Sequence, residues 1–572
     1  MDFSVLSKNL KKDFSAFPKI RIAILGDTPT QLLHQAIRGY GYEVGISFEI
    51  FEADYDQIDR QIFETGSEFY EFKPEFVLIF QSTQKALNKF YKKKEGKSHF
   101  ADQQIEYVRS LCDTLNDNLK VRIIYCNFPE IPDTVFGNYA NKTELSSTWQ
   151  FRKINLGLME LAGNIKNLFI NDISAIQNML GRQQIYSPST YTNTGIAYDI
   201  EFWPLIAKNT ADIILAINGK QLRKAVVLDL DNTLWGGIIG DDGLENIQIG
   251  DLGIGKAFTE LQLWLKQLKQ RGIILSVCSK NYEHVAMEAF EKHPDMILRP
   301  DDIAVFVANW ENKVDNIRYI QSILNIGFDS MVYLDDNPFE RNMVRTEIPA
   351  MVIPELPEDP AEYLPYLYTL NLFETASLSE EDENRTKQYQ EEAKRATLQH
   401  AYANEDEFLA SLEMVSLVKP FDKFYTPRIA QLSQRSNQFN LRTVRYTEQD
   451  IQKVAADPNY LTLYFTLEDK FGEYGLISLI ILEKKTDYLF IDTWLMSCRV
   501  LKRGMEDFVL NSIMRLAKEN NFTKVIGEYI PTEKNELVKE HFQKLGFAQN
   551  NGLWEMDVLA FDERKTFIKI NP

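Results

Sequence analysis

Four cysteines serve 572 residues, and Cys112, Cys126, Cys278 and Cys498 are widely dispersed and make no metal-ligand spacing. That scarcity excludes a disulfide-stapled framework and points to a reduced, cytoplasmic protein. No uninterrupted apolar run is long enough to span a bilayer. The stretch Met1 to Leu10 holds neither an apolar core nor a small-residue cleavage site, so no secretory leader is expected. Positive charge is short as well: the formal net charge is −19, which counts against nonspecific binding to a nucleic-acid backbone. Repeats and low-complexity tracts are missing too. What is present, 44% apolar and 25% charged residues, is the composition of an ordinary globular chain. A chain of this length calls for about two to four domains.

Within it, one stretch carries chemistry. Ala225-Val-Val-Leu-Asp-Leu-Asp-Asn-Thr-Leu-Trp235 is a short apolar run that opens onto Asp229 and Asp231. A strand ending there sets two carboxylates at the carboxyl edge of a sheet, where ligands bind in open α/β folds. Two like charges so close are costly unless a cation or a phosphoryl group uses them. Asp229 can attack phosphorus, and Asp231 can serve as general acid and base. One Asp-x-Asp also occurs as a simple strand cap, so the later motifs decide. Ile273 to Val277 runs into Cys278-Ser-Lys-Asn281, Trp310-Glu-Asn-Lys313 opens a helical pattern, and Met331 to Leu334 runs into Asp335-Asp-Asn-Pro338.

In that order the four motifs resemble the haloacid dehalogenase superfamily over residues 226–341, and more narrowly its FkbH-like branch. The resemblance implies Asp229 as nucleophile, Asp231 as proton donor, and Ser279 with Lys313 on the transferred phosphoryl group. It implies Mg²⁺ held by Asp229, Asp231, Asp335 and Asp336, and substrate contacts from Asn281, Asn337 and Arg341. It further implies a phosphorylated three-carbon acid as substrate and an acyl carrier protein as recipient of a glyceryl group. A plain phosphatase on a small metabolite and a scaffold in a biosynthetic complex stand as alternatives. The spacing between motifs leaves no room for a large cap, and Trp235 to Gly243 reads as a glycine-hinged flap.

The expected class is α/β with three domains. Residues 1–215 alternate strands (Ile20 to Leu25, Phe76 to Phe80, Val121 to Tyr125, Leu168 to Ile170) with helical patterns, which argues for a parallel sheet. This unit resembles the SGNH-hydrolase fold, but Thr28 stands at the nucleophile of Gly26-Asp27-Thr28. The partner histidine is missing around Tyr198-Asp199, so a non-hydrolytic role in assembly or substrate capture is expected. Residues 220–375 hold the aspartate motifs, and 376–413 read as a solvated helical connector. From 414 a unit with strands at Leu461 to Leu467, Gly475 to Leu482 and Tyr488 to Leu495, and a helix from Gly504, resembles the GNAT acyltransferases.

That family's phosphate loop corresponds here to Arg499-Val-Leu-Lys-Arg-Gly504, with Arg499 and Gly504 matching and Lys502 in place of a glycine. Cys498, at a strand-to-helix turn beside Arg499, is a candidate acyl-carrying thiol, with Cys278 as its rival. An acidic carrier protein needs a basic patch, for which Arg499, Lys502 and Arg503, or Arg435, Arg442 and Arg445, are the candidates.

Overall fold

The structure is a computed structural model that describes residues 2–132, 134–377, 389–391, 395, 404–497, 500, 501 and 503–571. It is of mixed α/β class and divides into two compact units, Met1–Leu215 and Ala216–Pro572. Among the described residues no helix is long and apolar enough to cross a membrane.

The first unit is a parallel sheet of β1 (Lys19–Gly26), β2 (Ser47–Glu52), β3 (Phe76–Phe80), β4 (Arg122–Cys126) and β5 (Leu168–Asn171), in the order β2-β1-β3-β4-β5. The central β3 is buried at every position, as a strand covered by helices on both faces must be. β2 was not legible in the sequence, because Ser47-Phe-Glu-Ile-Phe-Glu52 mixes charge into a half-buried edge strand. At the carboxyl end of β1, Asp27 accepts the Ser82 backbone N–H at 2.8 Å, and burial raises its carboxyl to about 6. Thr28 beside it is buried, and its Oγ1 has no hydrogen-bond partner among the described residues. The nearest histidine in sequence, His34, is engaged by Glu52 at 2.8 Å.

The second unit holds two sheets. β6 (Ala225–Leu228), β7 (Ile274–Ser279), β8 (Ile303–Ala308) and β9 (Met331–Leu334) form a parallel sheet in the order β8-β7-β6-β9. β6 is flanked by β7 on one side and by β9 on the other, so the chain changes direction there and leaves a crevice at the carboxyl ends. Apolar clusters cover both faces.

The other sheet is mixed. β10 (Val415–Lys419), β11 (Tyr460–Asp469), β12 (Gly472–Lys484) and β13 (Tyr488–Met496) run antiparallel in turn. The helix Met505–Glu519 then leads to β14 (Lys524–Gly527), parallel to β13. β15 (Ala548–Asn550), β16 (Leu553–Asp557) and β17 (Lys569–Asn571) complete the order β15-β16-β14-β13-β12-β11-β10-β17.

Two expectations need correction. Most of the charged stretch after residue 377 lies outside the described residues, and although Asn404 to Glu407 are exposed, the described residues before them are not solvated. Tyr389 is buried in the cluster under β6 and β9, and Arg395 forks onto Asp469 at 2.8 and 2.7 Å. An aromatic ring and a two-pronged ion pair bind those turns to the folded body despite the surrounding charge. The segment after Trp235 is likewise no free flap. Trp235 is fully buried, Gly236 exchanges both backbone bonds with Gln248, and Asp242 accepts the Ile238 N–H at 2.8 Å. Gly237 lets the chain turn there with φ +91°, where a Cβ would stand 2.6 Å from Asp242 Oδ2.

The unpaired Thr28 hydroxyl makes a test. Thr28→Val keeps the shape and removes a buried group that has no partner, so urea denaturation should show a gain of about 1 kcal/mol. A loss of stability instead would mean that a bound water satisfies the hydroxyl.

Candidate active site

The site grows from the ends of the parallel strands. The Asp229 N–H donates to Leu334 O at 2.9 Å, which carries the β6–β9 pairing one residue past β6 and brings Asp229 beside Asp335. Opposite them Asn312 caps the helix Lys313–Leu324 by accepting the Val314 N–H, so that Lys313 is its first residue. Lys313 is 3% exposed, and its ammonium lies 2.9 Å from Asp229 Oδ1 and 2.6 Å from Asp335 Oδ2. Burial pushes the Asp229 carboxyl up to about 7, against the pull of Lys313 and with the push of Asp335. Burial alone would lower the Lys313 ammonium, but the two carboxylates together hold it above its ordinary value. Oxygens of Asp229, Asp335 and Asp336 lie within 4.8 Å of one another, an all-oxygen set of the kind hard divalent cations take.

Asp231 is oriented by donors. Trp235 Nε1 and the Ile239 N–H both reach its Oδ1, at 2.9 and 3.0 Å, and Asn281 Nδ2 reaches its Oδ2 at 2.8 Å. Asn281 also donates to the Ser279 hydroxyl at 3.2 Å, and both residues are buried at the end of β7. Two sets of direct contacts thus lie at the carboxyl edge of the sheet, Asp229–Lys313–Asp335 and Asp231–Asn281–Ser279.

Asn337 and Arg341, the expected substrate contacts, both bond to the loop that carries Asp335 and Asp336. The Asn337 side chain caps its helix by accepting the Phe339 N–H, while its own N–H donates to Asp335 Oδ1 at 2.8 Å. Arg341 is buried beneath the loop and donates to the carbonyls of Asp335 and Asp336 at 2.8 and 2.6 Å. A guanidinium one turn into the helix Pro338–Glu347 finds those carbonyls before it can find solvent. Asp336 accepts weakly from Thr233 Oγ1, which in turn receives the Asp336 N–H at 3.0 Å.

The sequence reasoning missed Trp235 on Asp231 and Tyr333, whose hydroxyl donates to Asp335 Oδ2. Burial and the neighbouring Asp335 carboxylate hold the Tyr333 phenol far above its ordinary range, so it remains a donor. The available signal was its position two residues before Asp335, which directs both side chains to one face.

Elsewhere the thiol and basic-patch expectations fare unevenly. Cys278 is buried, and burial pushes its thiol up to about 12, away from the thiolate form that acyl transfer uses. Cys498, Arg499 and Lys502 lie outside the described residues. Gly504 stands in the left-handed region at φ +72°, directly before the helix Met505–Glu519.

The second basic cluster is committed internally: Arg442 pairs with Asp492 and Glu528 at 2.7 and 2.9 Å, and Arg435 donates to Thr375 and Ser377. Arg445 donates to the Ser433 and Ser436 carbonyls. Arg503 is buried with its guanidinium over the Phe408 ring. Neither cluster, in its described part, is an exposed docking patch.

Comparison with known proteins adds three findings. Residues 21–215 match the family described as FkbH, N-terminal domain. A crystal structure of the N-terminal part of the protein BF1531 from Bacteroides fragilis, containing its phosphatase domain complexed with Mg, is 52% identical over 66% of this chain and 100% of that one, with a TM-score of 0.64. The ribosomal-protein-S18-alanine N-acetyltransferase from Escherichia coli aligns at 12% identity over 25% of this chain and 94% of that one. Its TM-score is 0.20, so the form of the mixed sheet rests on its own strand order. Among curated proteins none matches.

The shared ammonium gives the second test. Lys313→Met would leave two buried carboxylates facing each other, a change worth about 3–5 kcal/mol. The metal-free variant should melt well below the wild type, and MgCl₂ should raise its Tm more than that of the wild type. Equal metal-free melting temperatures would show that Lys313 is not the counter-charge.

Proposed function

This chain belongs to the FkbH-like proteins of the haloacid dehalogenase superfamily, and from that premise we propose a Mg²⁺-dependent phosphatase acting on an activated phosphoglycerate, whose glyceryl group passes to an acyl carrier protein in the reduced cytoplasm. The observation that carries the reading is the buried Asp229–Lys313–Asp335 arrangement with Asp231 and Ser279 beside it. Asp229, Asp335 and Asp336 would hold the ion together with the Asp231 carbonyl, and the ion when bound draws charge from the phosphoryl oxygens.

An Asp229 oxygen attacks phosphorus while the ester bond breaks. Asp231, with two N–H donors on Oδ1, gives a proton from Oδ2 to the departing alkoxide. Lys313 offsets the charge that builds on the transferred group, and the Ser279 hydroxyl donates to one of its oxygens. Water then attacks the aspartyl phosphate, Asp231 takes its proton, and inorganic phosphate leaves with Asp229 restored.

The ester, and not the acyl phosphate, is the bond this site must cut. Cleaving an acyl phosphate at phosphorus leaves a free carboxylate that no thiol takes up. Acyl transfer therefore needs attack at the acyl carbon, with phosphate departing, and Cys498 is the thiol proposed for it.

Wild-type protein with Mg²⁺ should release phosphate from 3-phosphoglycerate, and Asp229→Asn should be slower by at least about a thousand-fold. With an activated donor and a phosphopantetheinylated carrier, intact mass spectrometry should find a glyceryl adduct. Undiminished turnover in Asp229→Asn would remove the nucleophile, and an unmodified carrier beside steady phosphate release would leave a plain phosphatase.

A pH dependence also follows. Burial holds the Asp229 carboxyl at about 7, and a metal needs the carboxylate, so ion and proton compete. Calorimetric Mg²⁺ affinity should fall as pH drops below about 7 and level off above it. An affinity unchanged from pH 6 to pH 8 would contradict this.

A further inference from the structure

We propose that Tyr333 is a positioning residue that holds Asp335 as a one-oxygen ligand and thereby sets the preference of the site for Mg²⁺ over Ca²⁺. The inference rests on the metal-site reading above and adds to it a determinant of specificity.

Three donors from three segments fix the Asp335 carboxylate. Tyr333, on β9, donates its hydroxyl to Oδ2. Lys313, at the start of its helix, meets the same oxygen at 2.6 Å. The Asn337 N–H, in the turn that follows, donates to Oδ1 at 2.8 Å. Tyr333 is itself held in an apolar cluster with Val227, Cys278 and Val314, so its hydroxyl has little freedom to follow a moving partner.

Turning the carboxylate so that both oxygens face one ion would break the contacts on Oδ2. Asp335 is therefore left to offer an ion the remaining lone pair of Oδ1. Mg²⁺ wants near-octahedral geometry with short single-oxygen bonds, and this suits it. Ca²⁺ fills six to eight positions and readily takes carboxylates by both oxygens, which the clamp denies. Lys313 also touches Asp229 and carries charge, whereas Tyr333 acts on Asp335 through one neutral hydroxyl. It can therefore be altered without changing the charge of the site.

The test titrates metal-free wild type and Tyr333→Phe with MgCl₂ and with CaCl₂ by calorimetry. Partners of metal ligands are typically worth about ten-fold or more in affinity. Mg²⁺ should bind Tyr333→Phe about ten-fold more weakly. Ca²⁺ should lose less or gain, so that the Mg²⁺-to-Ca²⁺ preference narrows. Tyr333→Met, which also lacks the hydroxyl, serves the same test where the phenylalanine variant does not fold. An unchanged preference overturns the proposal while leaving the phosphatase reading intact, because binding is read without turnover. No Mg²⁺ binding by the wild type would overturn the metal site and this inference together.

Discussion

One ammonium group buried between two carboxylates is the interaction around which the aspartate motifs of this chain are arranged. Lys313 reaches Asp229 and Asp335 at once, so three charges taken out of water are each partly compensated. None of them would be tolerable alone at that depth, and the compensation is incomplete, since burial still raises the Asp229 carboxyl to about 7. On the proposed reading, the negative charge left over is what suits the crevice to a cation and to a phosphoryl group whose oxygens the cation can share.

The fold serves that triad by strand order. β6 lies between β7 and β9, so Asp229, Ser279 and Asp335 emerge side by side at the carboxyl edge, and the β8-to-helix turn delivers Lys313. A surrounding set of donors then removes freedom from the acidic groups. Trp235 and the Ile239 N–H hold Asp231, Tyr333 and the Asn337 N–H hold Asp335, and Arg341 holds the loop carbonyls beneath. Preorganised oxygens of this kind need little rearrangement when charge develops.

Much of this was legible in order along the chain. Apolar runs at Val226 to Leu228 and Met331 to Leu334 read as strands because buried parallel strands are apolar throughout, and the polar residues at their ends read as a site for the same reason. Less legible were residues whose neighbours are distant in sequence. Arg341 looks like an anion binder, yet it lies under the loop because its helix begins two residues past Asp336. Arg435, Arg442 and Arg445 look like a basic patch, but carbonyls and carboxylates brought in by folding consume them. β2 went unread because an edge strand need not be apolar throughout.

Sequence by itself determined the class of fold, the four polar motifs and the family, since each depends on residue type and short-range spacing. Tertiary structure alone decided which polar groups face one another. It brought the Tyr333 hydroxyl onto Asp335, tied down the turn after Trp235, raised the Cys278 thiol to about 12, and set Asn337 and Arg341 against the Asp335 loop. Hydrogen bonds and pKa shifts depend on distance and burial, and neither exists until strands far apart in the chain lie side by side.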